Sequence, residues 1–346
     1  MFGKQSKTRL PFTETRFGYK ILVLLILLVL IFRLIPIISQ KPAETASKNE
    51  QNRIQKALED KLLSFLPSPE GELLAGVVLG SKKSLPQSFY NQLRQTGTIH
   101  IVVASGMNVV MLAGSIFDFL VIWFKRKVAL IPLFVLIWFY AFLTGFEAPI
   151  VRASIMLSLV FLAQEFGRPT DAARILAISG LTMILIDPVL VFSLSFQLSF
   201  ASTAGLVFVL PVIKKSKAFK GIFRSEDFSS TLAAQIATLP IIIGNFGEYN
   251  LASPLINFLV LWTIPIILKF GLVITTLSFI RPVGLLLSYL VYPLLRYFVL
   301  VVSFFSGIKI FQVWTPKTGF WWGVGYYLVL GYWIIGQKNR FEKGRS

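Results

Sequence analysis

Runs of apolar residues alternate with short polar breaks along almost the whole chain, and the length of the runs carries the first message. A helix crosses a bilayer with roughly 20 apolar residues. Stretches of that order run from Ile21 to Ile38 and lie near 98–124, 129–145, 149–166, 172–187, 189–212, 229–246, 254–280, 283–306 and 319–336, which predicts about ten spans. Residues 41–97 read differently. SKNE at Ser47–Glu50 fits a capping box. After it Ile54, Leu58, Leu62 and Phe65 recur on one helical face. Pro69 and Pro86 stand where a first helical turn begins and Gly97 where one stops. The expected fold class is all-α: a polytopic membrane helix bundle of about ten spans with a short helical extracytoplasmic lobe, and with broken or re-entrant helices within it. The boundaries are a cytoplasmic N-terminus and first span over 1–40, the lobe over 41–97, a transmembrane bundle over 98–336 and a basic cytoplasmic tail over 337–346.

Two stretches depart from the pattern. In the 98–124 run, one helix turning about 100° per residue puts His100 and Asp118 at the same azimuth, with Met111, Ser115 and Asn108 within about 80°. That polar stripe faces other helices or water. An interhelical hydrogen-bond seam explains it as readily as a functional site does. Ser105-Gly106 reads either as a break, of the kind that aims helix ends at a midplane site, or as a close-packing notch. In FSLSFQLSF (Phe192–Phe200) polar and apolar residues alternate. Period two is a strand signature, but a lone strand cannot face lipid. The stretch is therefore a helix with polar groups on two faces, or an irregular segment lining a cavity.

Composition strengthens the membrane reading. The chain of 346 residues is 55% hydrophobic with 32 Phe, and its mean hydropathy is +0.72. There are no cysteines and one histidine, so neither disulfides nor a Cys/His zinc cluster is available, and no metal or cofactor is expected. No phosphate-binding loop of the GxxxxGK[ST] type occurs. The net charge of +18 would point to nucleic acid in a soluble protein. Threaded alternately, however, the chain puts Lys125-Arg126-Lys127, Arg168, Arg174, Lys214–Arg224, Arg281 and the Lys338–Arg345 tail on one side with the basic N-terminus. That segregation follows the positive-inside rule with both termini cytoplasmic.

Charges within the runs ask for partners. Arg152 lies beyond Glu147, as an interfacial pair, a snorkelling side chain or a cation at the mouth of an anion pathway. Lys269 and Arg296 lie well inside their spans, where an anionic substrate or a salt bridge to Asp118 or Glu165 would balance them. Gln235 and Asn257 are further polar groups in helices.

Read together, TGTIHIVVASGMNVV (Thr96–Val110), the preceding LLAGVVLGSKKSLPQSFYNQLRQTG, GFEAPIVRASIM (Gly145–Met156), GRPTDAARILAISGLTMILIDP (Gly167–Pro188) and FSLSFQLSFASTAGL (Phe192–Leu206) resemble, in order, the ComEC-type competence channel family. The resemblance spans roughly 70–250 and implies the family's role: a bacterial cytoplasmic (inner) membrane channel that passes single-stranded DNA into the cell during natural transformation. Matched positions include His100, Ser105, Gly106, Arg152, Gln197 and Ser199, read with Asn108 as lining the DNA pathway. Gly145, Gly167, Arg168, Asp187 and Pro188 are read as structural motif residues. Asn108 stands where the family motif usually carries a second histidine, so a two-histidine mechanism is not expected. The β-barrel and metallo-β-lactamase-like domains that many members add are absent from these residues. The chain is therefore expected not to be an enzyme: it carries no nuclease or ATPase of its own. It is expected to rely on an extracytoplasmic DNA-delivery protein, a cytoplasmic ATP-driven motor and single-strand binding proteins, and either to lack strand degradation or to take it from a separate nuclease. A transporter of a smaller anion or a lipid shares the polar interior and is the alternative. An intramembrane serine hydrolase with Ser105 and His100 is remote, because five residues on one helix set them about 140° apart.

Overall fold

The computed structural model describes residues 46–82, 84–102, 105–215, 226–308, 312–314 and 320–343. The Ile21 to Ile38 run and residues 41–45 lie outside them. Helices dominate. α1 (Ala46–Leu63), α2 (Glu70–Leu79) and α3 (Gln87–Thr96) come from the polar stretch. Pro69 and Pro86 stand immediately before α2 and α3, and Gly80 and Gly97 end them in the left-handed conformation, as the punctuation predicts. α1 starts at Ala46, one residue before the Ser47 expected to cap it.

Next come α4 (Ile99–Val102), α5 (Gly106–Trp123), α6 (Arg126–Leu143), α7 (Ala148–Glu165) and α8 (Ala172–Ile186). α9 (Leu194–Ala204) and α10 (Leu210–Lys215) flank a π turn over Gly205–Val209. α11 (Glu226–Phe246), α12 (Ser253–Leu261), α13 (Ile264–Leu277), α14 (Arg281–Ser306) and α15 (Phe320–Lys343) complete the set. A two-stranded antiparallel ribbon, β1 (Glu248–Asn250) with β2 (Gln312–Trp314), pairs Tyr249 with Val313. The sequence reading contained no strand. Three-residue strands carry too little alternation to be seen.

Among the described residues, six helices are long and apolar enough to cross a membrane: Ile99–Trp123, Arg126–Leu143, Ala148–Glu165, Leu194–Lys215, Phe228–Phe246 and Arg281–Ser306. The 254–280 run is instead a pair, α12 and α13, bent by 48°, which makes seven if counted as one span. α8 is a shorter apolar helix of 15 residues. The protein is thus a multi-pass membrane bundle, with a bent pair of the kind the sequence led us to expect.

Lipid is as apolar as leucine, so close packing and polar contacts, not expulsion from water, hold such helices together. The main core joins α2 (Leu73, Leu74, Val78), α5 (Val109, Leu112), α6 (Leu133, Ile137), α13 (Ile264, Ile267, Ile274) and α14 (Leu295, Phe298, Val302). Helices α2 and α3 of the polar stretch therefore share one core with the spans. Gly271 lets α13 close on Val78 and Leu74, where a Cβ would collide. A second core joins α7, α8 and α9 through Ile155, Met183 and Phe196. A third sets Val209, Ile213 and Ala233 against Leu330 and Ile334 of α15. The outer surface is apolar: Ile122, Ile131, Phe192, Leu286, Trp321 and Tyr332 are exposed, as a hydrocarbon solvent requires.

Candidate functional site

The site begins where a span is interrupted. Ser105 is extended (φ −110°, ψ 159°), so α4 and α5 do not form the single regular helix on which His100 and Asp118 would align. Ser105 caps α5: its Oγ accepts from the Asn108 backbone N–H at 3.4 Å and donates to Asn108 Oδ1 at 3.1 Å. Asn108 is fully buried, and its Nδ2 donates to the Val77 carbonyl of α2 at 3.2 Å. A neutral amide that both donates and accepts suits this position, since nothing here compensates a charge.

Gly106 opens α5. A Cβ there would lie 2.6 Å from Arg152 Nη2 and 3.0 Å from the Pro149 carbonyl, so any larger residue would push the guanidinium aside and crowd the start of α7. Arg152 is 9% exposed. Its Nε donates to Ser199 Oγ of α9 at 2.8 Å and its Nη1 reaches Met156 Sδ at 3.3 Å. Among the described residues no carboxylate pairs with it. Glu147, the nearest candidate in sequence, holds Lys82 at 3.0 Å instead. Arg152 of α7 thus links Gly106 at the start of α5 to Ser199 of α9, with the Ser105–Asn108 cap beside Gly106 on the same turn.

The other sequence candidates lie apart from this cluster. His100 is exposed on α4. Gln197 is half-buried, its Nε2 donating to the Val191 carbonyl at 2.9 Å, because FSLSFQLSF coils into α9 after a 3-10 turn capped by Ser193. Asp118 and Lys269 are exposed. Arg296 pairs with Glu70 at 2.9 Å and Glu165 with Lys127, so neither expected bridge forms.

The five motif residues set the corners. Gly145 (φ +82°) and Phe146 (φ +51°) turn the chain between α6 and α7. Gly167 (φ +62°) ends α7 with Arg168 N–H donating to the Ala163 carbonyl at 2.8 Å. Asp187 Oδ1 accepts from Val189 N–H at 3.1 Å, with Pro188 opening the 3-10 turn.

A second polar cluster anchors the α3–α4 corner. Gln235 Nε2 donates to Ser253 Oγ at 2.9 Å, Tyr249 donates to Gln235 Oε1 at 3.0 Å, and Asn250 Nδ2 donates to the Gln95 carbonyl at 2.7 Å. Burial pushes the Tyr249 hydroxyl up to about 12, with Tyr326 adding to the shift. A Cβ on Gly97 (φ +72°) would stand 2.5 Å from Ser253 Oγ. Sequence reasoning missed this network and Met156. The partners in the network lie 14, 18 and 155 residues apart along the chain, beyond any spacing rule, whereas Met156 lies one helical turn from Arg152.

The competence protein family model matches residues 77–340. The chain belongs to the competence protein family. Among its relatives are ComE operon protein 3 of Bacillus subtilis, 25% identical over 57% of this chain and 25% of its own length. Competence protein ComA of Neisseria gonorrhoeae is 27% identical over 54% and 27%. An uncharacterized protein of Aquifex aeolicus is 29% identical over 56% and 43%. The matches thus span less than half the length of each of these relatives. No solved structure matches the chain. The family match starts at Val77, the carbonyl that holds Asn108, and covers every residue of the α5, α7 and α9 junction in this competence-family chain.

Proposed function

We propose that this chain is a conduit through which a single DNA strand crosses the bacterial cytoplasmic membrane during natural transformation, and that it is not an enzyme. The observation that carries the reading is a buried guanidinium with no carboxylate partner among the described residues, bonded across from α7 to α9, in a member of the competence family. A charged side chain within the bilayer is costly and marks a pathway by default. A strand carries one phosphate per nucleotide and needs a wet, partly basic route. Ser105, Asn108, Ser199 and Arg152 supply polar groups without an acidic one to repel it, and His100 and Gln197 extend the polar set. Aromatic side chains can carry bases by stacking, which is tolerant of sequence. The basic segments at 125–127, 168–174 and 338–345 support a cytoplasmic side bearing both termini. An outer DNA-delivery protein, an ATP-driven motor and single-strand binding proteins inside, and a nuclease in trans complete the machine.

Near-complete burial of Arg152 also favours a second reading, a carrier for a small anion. A natural-transformation assay separates them. Import is expected to disappear on deletion, and to fall about tenfold or more with Arg152→Ala while the protein still inserts. His100→Ala and Gln197→Ala are expected to lower it as well. Wild-type import in all three variants sinks the pathway assignment. Lost small-anion flux with intact DNA import establishes the carrier.

A further inference from the structure

A helix starts inside a membrane span at Gly106 because Ser105 interrupts the span. The first turn of a helix carries backbone N–H groups without intrahelical acceptors and the positive end of the helix dipole. Ser105 Oγ takes the Asn108 N–H, and the N–H groups of Gly106 and Met107 belong to that same first turn. A side chain at 106 would screen them. Glycine instead leaves the space to Arg152, whose Nη2 sits 2.6 Å from the place of a Cβ. The guanidinium is nine-tenths buried, spends Nε on Ser199 and gives Nη1 only a thioether, a weak acceptor. Two positive features of separate origin, a helix end and a cation, therefore face each other in a low-dielectric region, and among the described residues no carboxylate pairs with the cation. That arrangement is unfavourable until an anion joins it.

We propose that the first turn of α5 and Arg152 form a binding site for a phosphate-class oxyanion, occupied by a phosphodiester as the strand passes. The identity of the occupant rests on the conduit reading. The site itself does not. One non-bridging oxygen takes the backbone N–H groups and the other takes the free edge of the guanidinium. Ser199 is a positioning residue that fixes the plane of the guanidinium. A phosphodiester carries one negative charge, which balances Arg152 without excess, and a single such step binds weakly enough to release the strand onward.

The test uses the full chain in lipid nanodiscs and a short dye-labelled oligothymidylate read by fluorescence anisotropy. Its companions are the same oligomer with a neutral methylphosphonate backbone, and inorganic phosphate as competitor. The phosphodiester oligomer is expected to bind and phosphate to displace it. Arg152→Ala and Gly106→Ala are expected to weaken binding about 10- to 100-fold, Arg152→Lys less, and Arg174→Ala, on the exposed start of α8, not at all. A methylphosphonate oligomer that binds wild-type protein as tightly as the phosphodiester overturns the proposal without recourse to any variant. So does oligomer binding unchanged in well-folded Arg152→Ala and Gly106→Ala proteins, even if import still depends on the chain and the conduit reading survives. Phosphate that binds in an Arg152-dependent way while the oligomer does not keeps the site and removes DNA as its ligand.

Discussion

Arg152 and Arg296 both sit inside membrane spans, and they differ in what answers their charge. Arg296 of α14 meets Glu70, a carboxylate 1% exposed, at 2.9 Å, while the guanidinium side remains about half exposed. Arg152 of α7 is nearly buried and meets a hydroxyl and a thioether. The first is a closed pair that ties α2 to α14 across the main core. The second is an open cation at the seam between helices of the main core and the second core. Ion pairs within a bundle serve architecture, whereas a buried charge left uncompensated has to be retained for another reason. That contrast assigns a structural role to the Arg296 pair and a functional one to Arg152.

The comparison breaks first if Arg152 can be made to resemble Arg296. Met156→Glu would set a carboxylate beside Nη1, close the charge and block an anion. Import is expected to fall at least about tenfold, with a thermal midpoint equal to or above that of wild type. Import at the wild-type level in that variant removes the functional half of the contrast. Next in size, Arg296→Ala leaves Glu70 buried alone. It is expected to lower the thermal midpoint and the yield of inserted protein, and a second change, Glu70→Gln, should restore most of both. If the single variant melts like wild type, the pair is not architectural.

Gly97→Ala asks whether the neutral Gln235–Ser253–Tyr249 cluster holds the α3–α4 corner. The strained φ and the contact with Ser253 Oγ are expected to cost about 1–3 kcal/mol, seen as a lower midpoint in chemical or thermal unfolding. The smallest effect is expected from Ser158→Ala, which removes the acceptor of Trp138 Nε1 at 3.3 Å. It should cost about 1 kcal/mol or less and leave import untouched. A large loss of import there would show that polar contacts outside the α5, α7 and α9 junction matter as much as those within it.

The sequence located most of the corners. Gly97, Gly167 and Asp187 act as their residue types and neighbours demand, because turn and cap chemistry is local. It also singled out Ser105, Gly106, Arg152 and Ser199, which the fold brings into one cluster. It did not separate Arg152 from Arg296, and it grouped His100 and Gln197 with residues they do not touch. Azimuths on an ideal helix misled at His100, since one extended residue at Ser105 resets the register of everything beyond it. The alternation in FSLSFQLSF, by contrast, resolves into a helix, one of its two readings: Ser193 and Gln197 bond to carbonyls of the preceding 3-10 turn, and Ser199 accepts from Arg152 of α7.

By itself, then, the order of residues determined that the chain lies in a membrane as helices, where those helices stop, and which polar groups are too costly to be accidental. Those properties follow from desolvation and local backbone preference, which act over a few residues. Only the tertiary structure decided which cation is answered and which is left open. Glu70 lies 226 residues from Arg296 and Ser199 lies 47 from Arg152, and the free energy of a buried charge depends on neighbours in space that the packing alone supplies.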